Sequence, residues 1–272
     1  MWPIYLINLD RSPGRLEKCK ALFDAAGLVY QRFPACDWLN LSPMEVKKYV
    51  SEQPPLFAKS RISLPEIACF LSHVSVWRKI AVGSAPMAFV FEDDFSLEPG
   101  AVDAMSLLSE SRPTWDMLKL YANKPRATVG AELTRGPHDI ETPTVLPSLT
   151  IAYAITRPAA RMLAERSFPL RRPLDLYLKH WWEHNASIKV IQPSLVSPCE
   201  EHIATSSIDS IRAEGKQMNH VSRFLRNLAY QAAFRFNMIV RAQSRPVDAS
   251  WPDEEFAIGP VAHSHASRSL HI

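Results

Sequence analysis

Apolar positions along the chain follow two rhythms. Unbroken apolar runs end abruptly in polar residues, as in Ile4 to Ile7 before Asn8, or Met87-Ala88-Phe89-Val90-Phe91 before Glu92-Asp93-Asp94. Such a run, bounded by turn residues, predicts a strand covered on both faces. Strands are expected at 2–9, 28–34, 87–91, 115–121, 149–155 and 187–196. The second rhythm has the helical period. Leu16, Cys19, Leu22, Phe23 and Ala26 share a face after Ser12-Pro13 and before Gly27, which predicts a helix capped by Ser12. Ser42-Pro43-Met44-Glu45 and Ser63-Leu64-Pro65-Glu66 are capping boxes. The first predicts a helix over 43–50. The second opens one with Ile67, Phe70, Leu71, Val74, Trp77 and Ala81 on its core face. Further helices are expected at 101–110, from Thr156 to about Arg166, and after Pro173, where Asp175 stands in a first turn ahead of Trp181, Trp182 and Glu183. Residues 122–147 show little periodicity and read as a long loop, a candidate lid or acceptor loop.

Strand–helix–strand order at the start of the chain predicts an α/β sheet, and ligands of such sheets collect beyond the carboxyl ends of strands. Asn8, Asp10, Arg11 and Arg15 stand there, and the two arginines suit bidentate contact with a diphosphate or are plain surface arginines. Glu92-Asp93-Asp94 stands at the corresponding end of the strand 87–91. Three adjacent carboxylates are either a solvated acidic turn or a site where a divalent cation and a polar substrate relieve their repulsion. His73, on the flank of its helix's apolar face, is a hydrogen-bonded packing residue or a ligand contact. Trp181 and Trp182 offer a sugar-stacking platform, or one of them belongs to the core.

Composition narrows the function classes. With 272 residues and 47% hydrophobic content, the chain can bury one large core. A net charge of +3 does not argue for nucleic acid. Twenty-two prolines against eight glycines favour ordered loops and short elements. The cysteines Cys19, Cys36, Cys69 and Cys199 have no metal-type spacing and read as reduced thiols of a cytoplasmic protein. The apolar start reads as a strand rather than a signal peptide. No acidic residue occurs from Lys216 to Val247, while Val221, Phe224, Leu225, Leu228, Ala232, Phe236 and Ile239 keep a helical period. This basic amphipathic helix either lies on an anionic membrane surface, which would place the protein peripherally on the inner face of a membrane, or packs on the domain. The polar stretch 246–272 is expected to be disordered.

Taken together, several of these stretches resemble one family. Ile7-Asn8-Leu9-Asp10-Arg11-Ser12 with Arg15, Glu66-Ile67-Ala68-Cys69-Phe70-Leu71-Ser72-His73 with Trp77, Phe91-Glu92-Asp93-Asp94, Ala152-Tyr153-Ala154-Ile155-Thr156 and Pro173-Leu174-Asp175 stand in the order of boxes in glycosyltransferase family 25, the lipooligosaccharide sugar transferases. The resemblance implies a GT-A-like nucleotide-sugar-binding sheet flanked by helices, with a smaller acceptor-binding part, over residues 1–210. A basic helical extension (211–245) and the tail (246–272) follow it. The implied reaction is metal-dependent, inverting transfer of galactose or glucose from a UDP-hexose to an oligosaccharide or lipid-linked saccharide acceptor, with Mn2+ or Mg2+ as cofactor. Under this resemblance Asp94 binds the metal and His202 is a further metal ligand. Glu92, Asp93 and His73 contact the donor, or Glu92 and Asp93 complete the metal shell. Asn8, Arg11 and Arg15 hold nucleotide and phosphate. Asp175 is the first choice of catalytic base and Glu183 the second. A non-catalytic nucleotide-sugar-binding scaffold and a hydrolase are the rival readings.

Overall fold

The computed structural model describes residues 1–52, 62–123, 128–133, 136–199 and 220–246. Its centre is an eight-stranded sheet of order β2-β1-β3-β8-β5-β9-β7-β6. The strands are β1 (Ile4–Asn8), β2 (Gln31–Pro34), β3 (Met87–Phe91), β5 (Met117–Lys119), β6 (Thr128–Leu133), β7 (Asp139–Pro143), β8 (Ala152–Thr156) and β9 (Ile188–Gln192). β8 and β7 run against the other six, so the sheet is mixed but mostly of one direction. A two-stranded ribbon of β4 (Phe95–Leu97) and β10 (Val196–Pro198) stands beside it.

The unbroken apolar run of β3 has a direct cause. Ala88 and Val90 point into one hydrophobic core, with Tyr5, Ile7, Tyr153 and Ile155 of neighbouring strands. Met87, Phe89 and Phe91 point into a second core on the opposite face, with Ile4, Leu6, Ala152 and Ala154. Helices α3 (Leu64–Ala81) and α5 (Arg157–Arg166) cover the first face. Helices α1 (Pro13–Ala25) and α4 (Ala101–Glu110) cover the second, where Phe23 meets Phe91 edge-on with ring centroids 5.4 Å apart. No strand position of β3 faces water, so no polar alternation is possible.

Both capping boxes form. Glu45 accepts the backbone N–H of Ser42 at 2.9 Å ahead of α2 (Pro43–Tyr49), and Glu66 accepts that of Ser63 at 2.8 Å ahead of α3. Ser12 differs from expectation. Its side chain makes no cap bond, and its carbonyl instead accepts Asn8 Nδ2 at 3.2 Å. The helix expected after Pro173 is broken at His180 into α6 (Leu174–Lys179) and α7 (Trp181–His184). The largest departure is the stretch 122–147, which is not a loop: much of it is the hairpin β6–β7 at the sheet edge. Its alternation is short: Val129, Ala131 and Leu133 alternate with Gly130 and Glu132 in β6, and Ile140 is the one large apolar residue of β7.

A final helix, α8 (His220–Val240), follows. Tyr230 and Phe234 pack on His180 with ring centroids 5.8 and 5.3 Å away. Its other side leaves Leu228, Phe236, Ile239 and Val240 exposed, with exposed Arg235 and Arg241 beside them. No helix among the described residues is long and apolar enough to cross a membrane. The tail expected to be disordered lies, beyond residue 246, outside the described residues.

Candidate functional site

Parallel pairing of β2, β1 and β3 brings the residues that follow each strand to one edge of the sheet. Asn8 closes β1, Ala35 to Trp38 follow β2, and Glu92 to Asp94 follow β3. With the first turns of α3 they line a cleft of about 190 Å3 that includes Arg11, Arg15, Trp38, Cys69, Ser72, His73 and all three acidic residues. A larger cavity of about 620 Å3 lies at the far end of α3, between Arg78, Arg157 and Arg161. There Arg157 and Arg161 donate to carbonyls just beyond and at the end of that helix, a capping arrangement with no carboxylate cluster. The smaller cleft is therefore the candidate site.

The carboxylates differ in environment. Asp93 accepts Asn8 Nδ2 at 2.6 Å and lies 3.1 Å from an Arg15 nitrogen. Burial still raises its pKa, against the opposing pull of Arg15 and Asn8. Asp94 is 3.6 Å from Arg15, and burial together with the neighbouring Glu92 pushes its carboxyl up to about 7. Its Oδ1 is buried and accepts no hydrogen bond among the described residues. Oxygen donors of this kind, several carboxylates sharing the cation of Arg15, fit a hard divalent cation. The backbone of Cys199, next to β10, donates to the Asp94 carbonyl at 2.8 Å.

Glu92 belongs to a relay that runs into the core. Trp77 Nε1 donates to the Tyr153 hydroxyl at 2.9 Å, that hydroxyl meets His73 Nδ1 at 2.8 Å, and His73 Nε2 meets Glu92 at 3.0 Å. Because the Tyr153 oxygen accepts from Trp77, its own hydrogen is free for His73 Nδ1, which leaves Nε2 to donate to Glu92. His73 is thus both a packed core residue and a cleft residue.

The arginines are committed. Arg11 pairs with Asp37 at 2.7 Å, and Arg15 faces Asp93 and Asp94. Asn8 is held from behind by Arg32, whose Nε donates to Asn8 Oδ1 at 3.1 Å. Asp175, in the first turn of α6, is close enough to raise the Cys69 thiol pKa, after burial, Glu92 and Asp94. It also acts on buried Lys119, which burial and then Lys179 pull down to about 7 while Asp175 and Glu92 oppose them. The charge of Asp175 therefore reaches Cys69 in the cleft, although Asp175 is not among the residues that line it. Glu183 does not line it; it is paired with Arg172 at 2.8 Å. His202 lies outside the described residues.

Sequence reasoning missed Trp38, Ser72, Cys69, Arg32 and Lys119. Trp38 had a usable signal, since it follows β2 at the same strand end as Asn8 and Glu92. Arg32 had none, since it lies inside β2 and only pairing with β1 brings it to Asn8, and Lys119, inside β5, donates to the Pro147 and Ser148 carbonyls rather than into the cleft.

The model of a family described as glycosyltransferase family 25 (LPS biosynthesis protein) matches residues 1–135. A protein of Aedes aegypti named "Glycosyltransferase 25 family member" is 30% identical over 190 residues, spanning 64% of this chain and 30% of its own length. A protein of the same name from Anopheles gambiae is 30% identical over 184 residues, spanning 64% of this chain and 31% of its own length. The human "Inactive glycosyltransferase 25 family member 3" is 25% identical over 226 residues, spanning 72% of this chain and 36% of its own length. The chain thus spans about a third of the length of these curated relatives. The family match covers β1, α3 and β3, the elements that carry Asn8, His73 and the three carboxylates, and the chain belongs to glycosyltransferase family 25.

Proposed function

We propose that the protein is a hexosyltransferase of GT-A-like architecture that moves galactose or glucose from a UDP-hexose to an oligosaccharide or lipid-linked saccharide acceptor, with inversion. The observation that carries this reading is the acidic cleft, where the buried Oδ1 of Asp94 accepts no hydrogen bond among the described residues and the carboxylate lies beside Arg15. Mn2+ or Mg2+ held by Asp94 would supply positive charge for the departing diphosphate. Asp93, fixed by Asn8 and Arg15, keeps the cleft in register and offers its remaining lone pairs to the ribose or sugar hydroxyls. Arg15 follows the phosphates, Arg11 stands at the rim, and Trp38 offers an aromatic face to the base. Glu92 is presented by His73 to donor hydroxyls.

Single displacement with inversion needs a base for the acceptor hydroxyl on the side away from the diphosphate. Asp175 is assigned that role because it stands in the first turn of α6 and its charge reaches both Cys69 in the cleft and Lys119 on β5. The exposed apolar stripe of α8, flanked by Arg235 and Arg241, suits an anionic membrane surface that carries a lipid-linked acceptor.

The test is incubation with UDP-galactose or UDP-glucose and Mn2+, with and without oligosaccharide acceptor, measuring released UDP. Acceptor-dependent release supports transfer, and equal release without acceptor makes the protein a hydrolase. Asp175→Asn should lose turnover and keep UDP-hexose binding; lost binding would remove Asp175 from the role of base. A second reading, a non-catalytic homologue, is favoured by the human relative named "Inactive glycosyltransferase 25 family member 3". It predicts UDP-hexose binding with no UDP release under either condition.

A further inference from the structure

Cys69 and His73 are four residues apart on α3, so their side chains lie one above the other on the same side of the helix. Both line the cleft, and Glu92 meets them from the end of β3. One ligand atom from each residue, the Cys69 sulfur, a His73 ring nitrogen and a Glu92 oxygen, lies within 4.8 Å of the others. The set mixes sulfur, nitrogen and oxygen. Mn2+ and Mg2+ prefer oxygen alone, whereas Zn2+ takes thiolate, imidazole and carboxylate together.

We propose that Cys69, His73 and Glu92 form a second metal site in the floor of the cleft, selective for a zinc-type cation and separate from the oxygen ligands of Asp94.

Three features support it besides ligand type. The three residues stand on rigid elements, a buried helix and the end of a central strand, rather than on loops. The ring nitrogen of His73 that points away from the cleft is already held by Tyr153, which Trp77 holds in turn. Such a partner fixes the orientation of a ligating ring, and ligation through Nε2 turns the Tyr153 hydroxyl from donor to acceptor of the proton on Nδ1. Metal–ligand bonds of 2.0–2.3 Å put tetrahedral ligands about 3.3–3.7 Å apart. His73 Nε2 and Glu92 are at 3.0 Å and the Cys69 sulfur lies within 4.8 Å of its two partners, so side-chain rotation is enough to bring the three toward that spacing. Three protein ligands leave a fourth position toward the cleft.

Binding exchanges the Cys69 thiol proton for the metal, and the proton leaves to solvent. His73 gives up its Nε2 hydrogen bond to Glu92 and carries its remaining proton on Nδ1, toward Tyr153. An occupied site takes Glu92 away from donor hydroxyls, so zinc inhibits transfer. That consequence rests on the transferase reading above; the metal binding does not.

The test is titration of the EDTA-treated full chain with Co2+, followed by optical absorption. The expected result is tetrahedral cobalt bands with a thiolate charge-transfer band that saturates at one equivalent and is bleached by Zn2+. Cys69→Ala and Cys69→Ser should both remove the charge-transfer band while circular dichroism shows a folded chain. Tyr153→Phe should weaken Zn2+ binding by about 10–100-fold, measured against a chromophoric chelator. Cys36→Ser, in the same cleft but outside the set, and Asp94→Asn should keep the band. No charge-transfer band in the wild-type chain overturns the site. So does a band that survives loss of Cys69, or one lost in Cys36→Ser or Asp94→Asn. Each of these reads metal binding alone and is unaffected if no UDP-hexose is turned over.

Discussion

Asp94→Asn should make the metal-free protein more stable and disable the donor site. Folding raises the carboxyl of Asp94 from 3.8 to about 7, with burial first and Glu92 second as causes. The sign follows from proton binding. Below pH 3.8 the group is protonated in both states and contributes nothing. Between pH 4 and 7 the unfolded chain releases the proton while the folded protein retains it, so wild-type stability falls as pH rises, and above 7 the loss is complete. A shift of this size corresponds to at most about 4 kcal/mol at 1.36 kcal/mol per pH unit. That shift already includes the opposing pull of Arg15, and the Asp94 side chain is 29% exposed and so partly screened, which leaves an expected gain of about 2–3 kcal/mol at pH 8. For a chain of this size that is about 5–10 °C in Tm. The assay is thermal denaturation of wild type and variant in EDTA at pH 4, 6 and 8, repeated at pH 8 with Mn2+. The variant's advantage should be near zero at pH 4, grow to pH 7, and shrink or reverse with Mn2+, which stabilises only the wild type by mass action. An advantage independent of pH, or no advantage in EDTA at pH 8, would refute the account of Asp94 as a strained carboxyl awaiting a cation.

Further predictions concern its neighbours. Tyr153→Phe removes the hydroxyl shared by Trp77 and His73 and leaves buried polar groups unpaired, so it should cost about 1–3 kcal/mol in urea unfolding. An unchanged midpoint would show that the relay does not bear on stability. Glu183→Gln should lower Tm through loss of the Arg172 pair, by about 1 kcal/mol, with kcat kept; collapse of kcat at unchanged Tm would make Glu183 the base. Phe236→Ser with Ile239→Ser, both outward on α8, should reduce sedimentation with anionic vesicles while neutral vesicles bind neither protein. Equal sedimentation of variant and wild type would leave α8 as a packing helix only.

The legible parts of this fold were those specified by neighbouring residues. Ser42 to Glu45 and Ser63 to Glu66 declare helix starts within four positions, and β3 declares its depth because every residue in it faces one of two cores. The hairpin β6–β7 was illegible because its apolar positions are few and interrupted: Gly130 and Glu132 separate those of β6, the edge strand, and β7 begins Asp139-Ile140-Glu141-Thr142. α6 and α7 read as one helix because the break at His180 comes from its own backbone and packing rather than from a glycine or proline.

The site was legible as a set of strand ends and illegible as a network. His73, Tyr153 and Trp77 join residues 76 and 80 positions apart, across a helix and an antiparallel strand whose insertion between β3 and β5 no local pattern announces. The sequence posed His73 as either a packing residue or a ligand contact, and an imidazole with two different faces dissolves that choice. Nδ1 is spent on the core and Nε2 on the cleft, so the bond that packs the ring also aims it. The same reasoning applies to Asn8, whose oxygen is held by Arg32 so that its nitrogen can hold Asp93. In both cases the inner bond fixes the outer one, and a variant that breaks only the inner bond should disturb the cleft without touching any group that lines it.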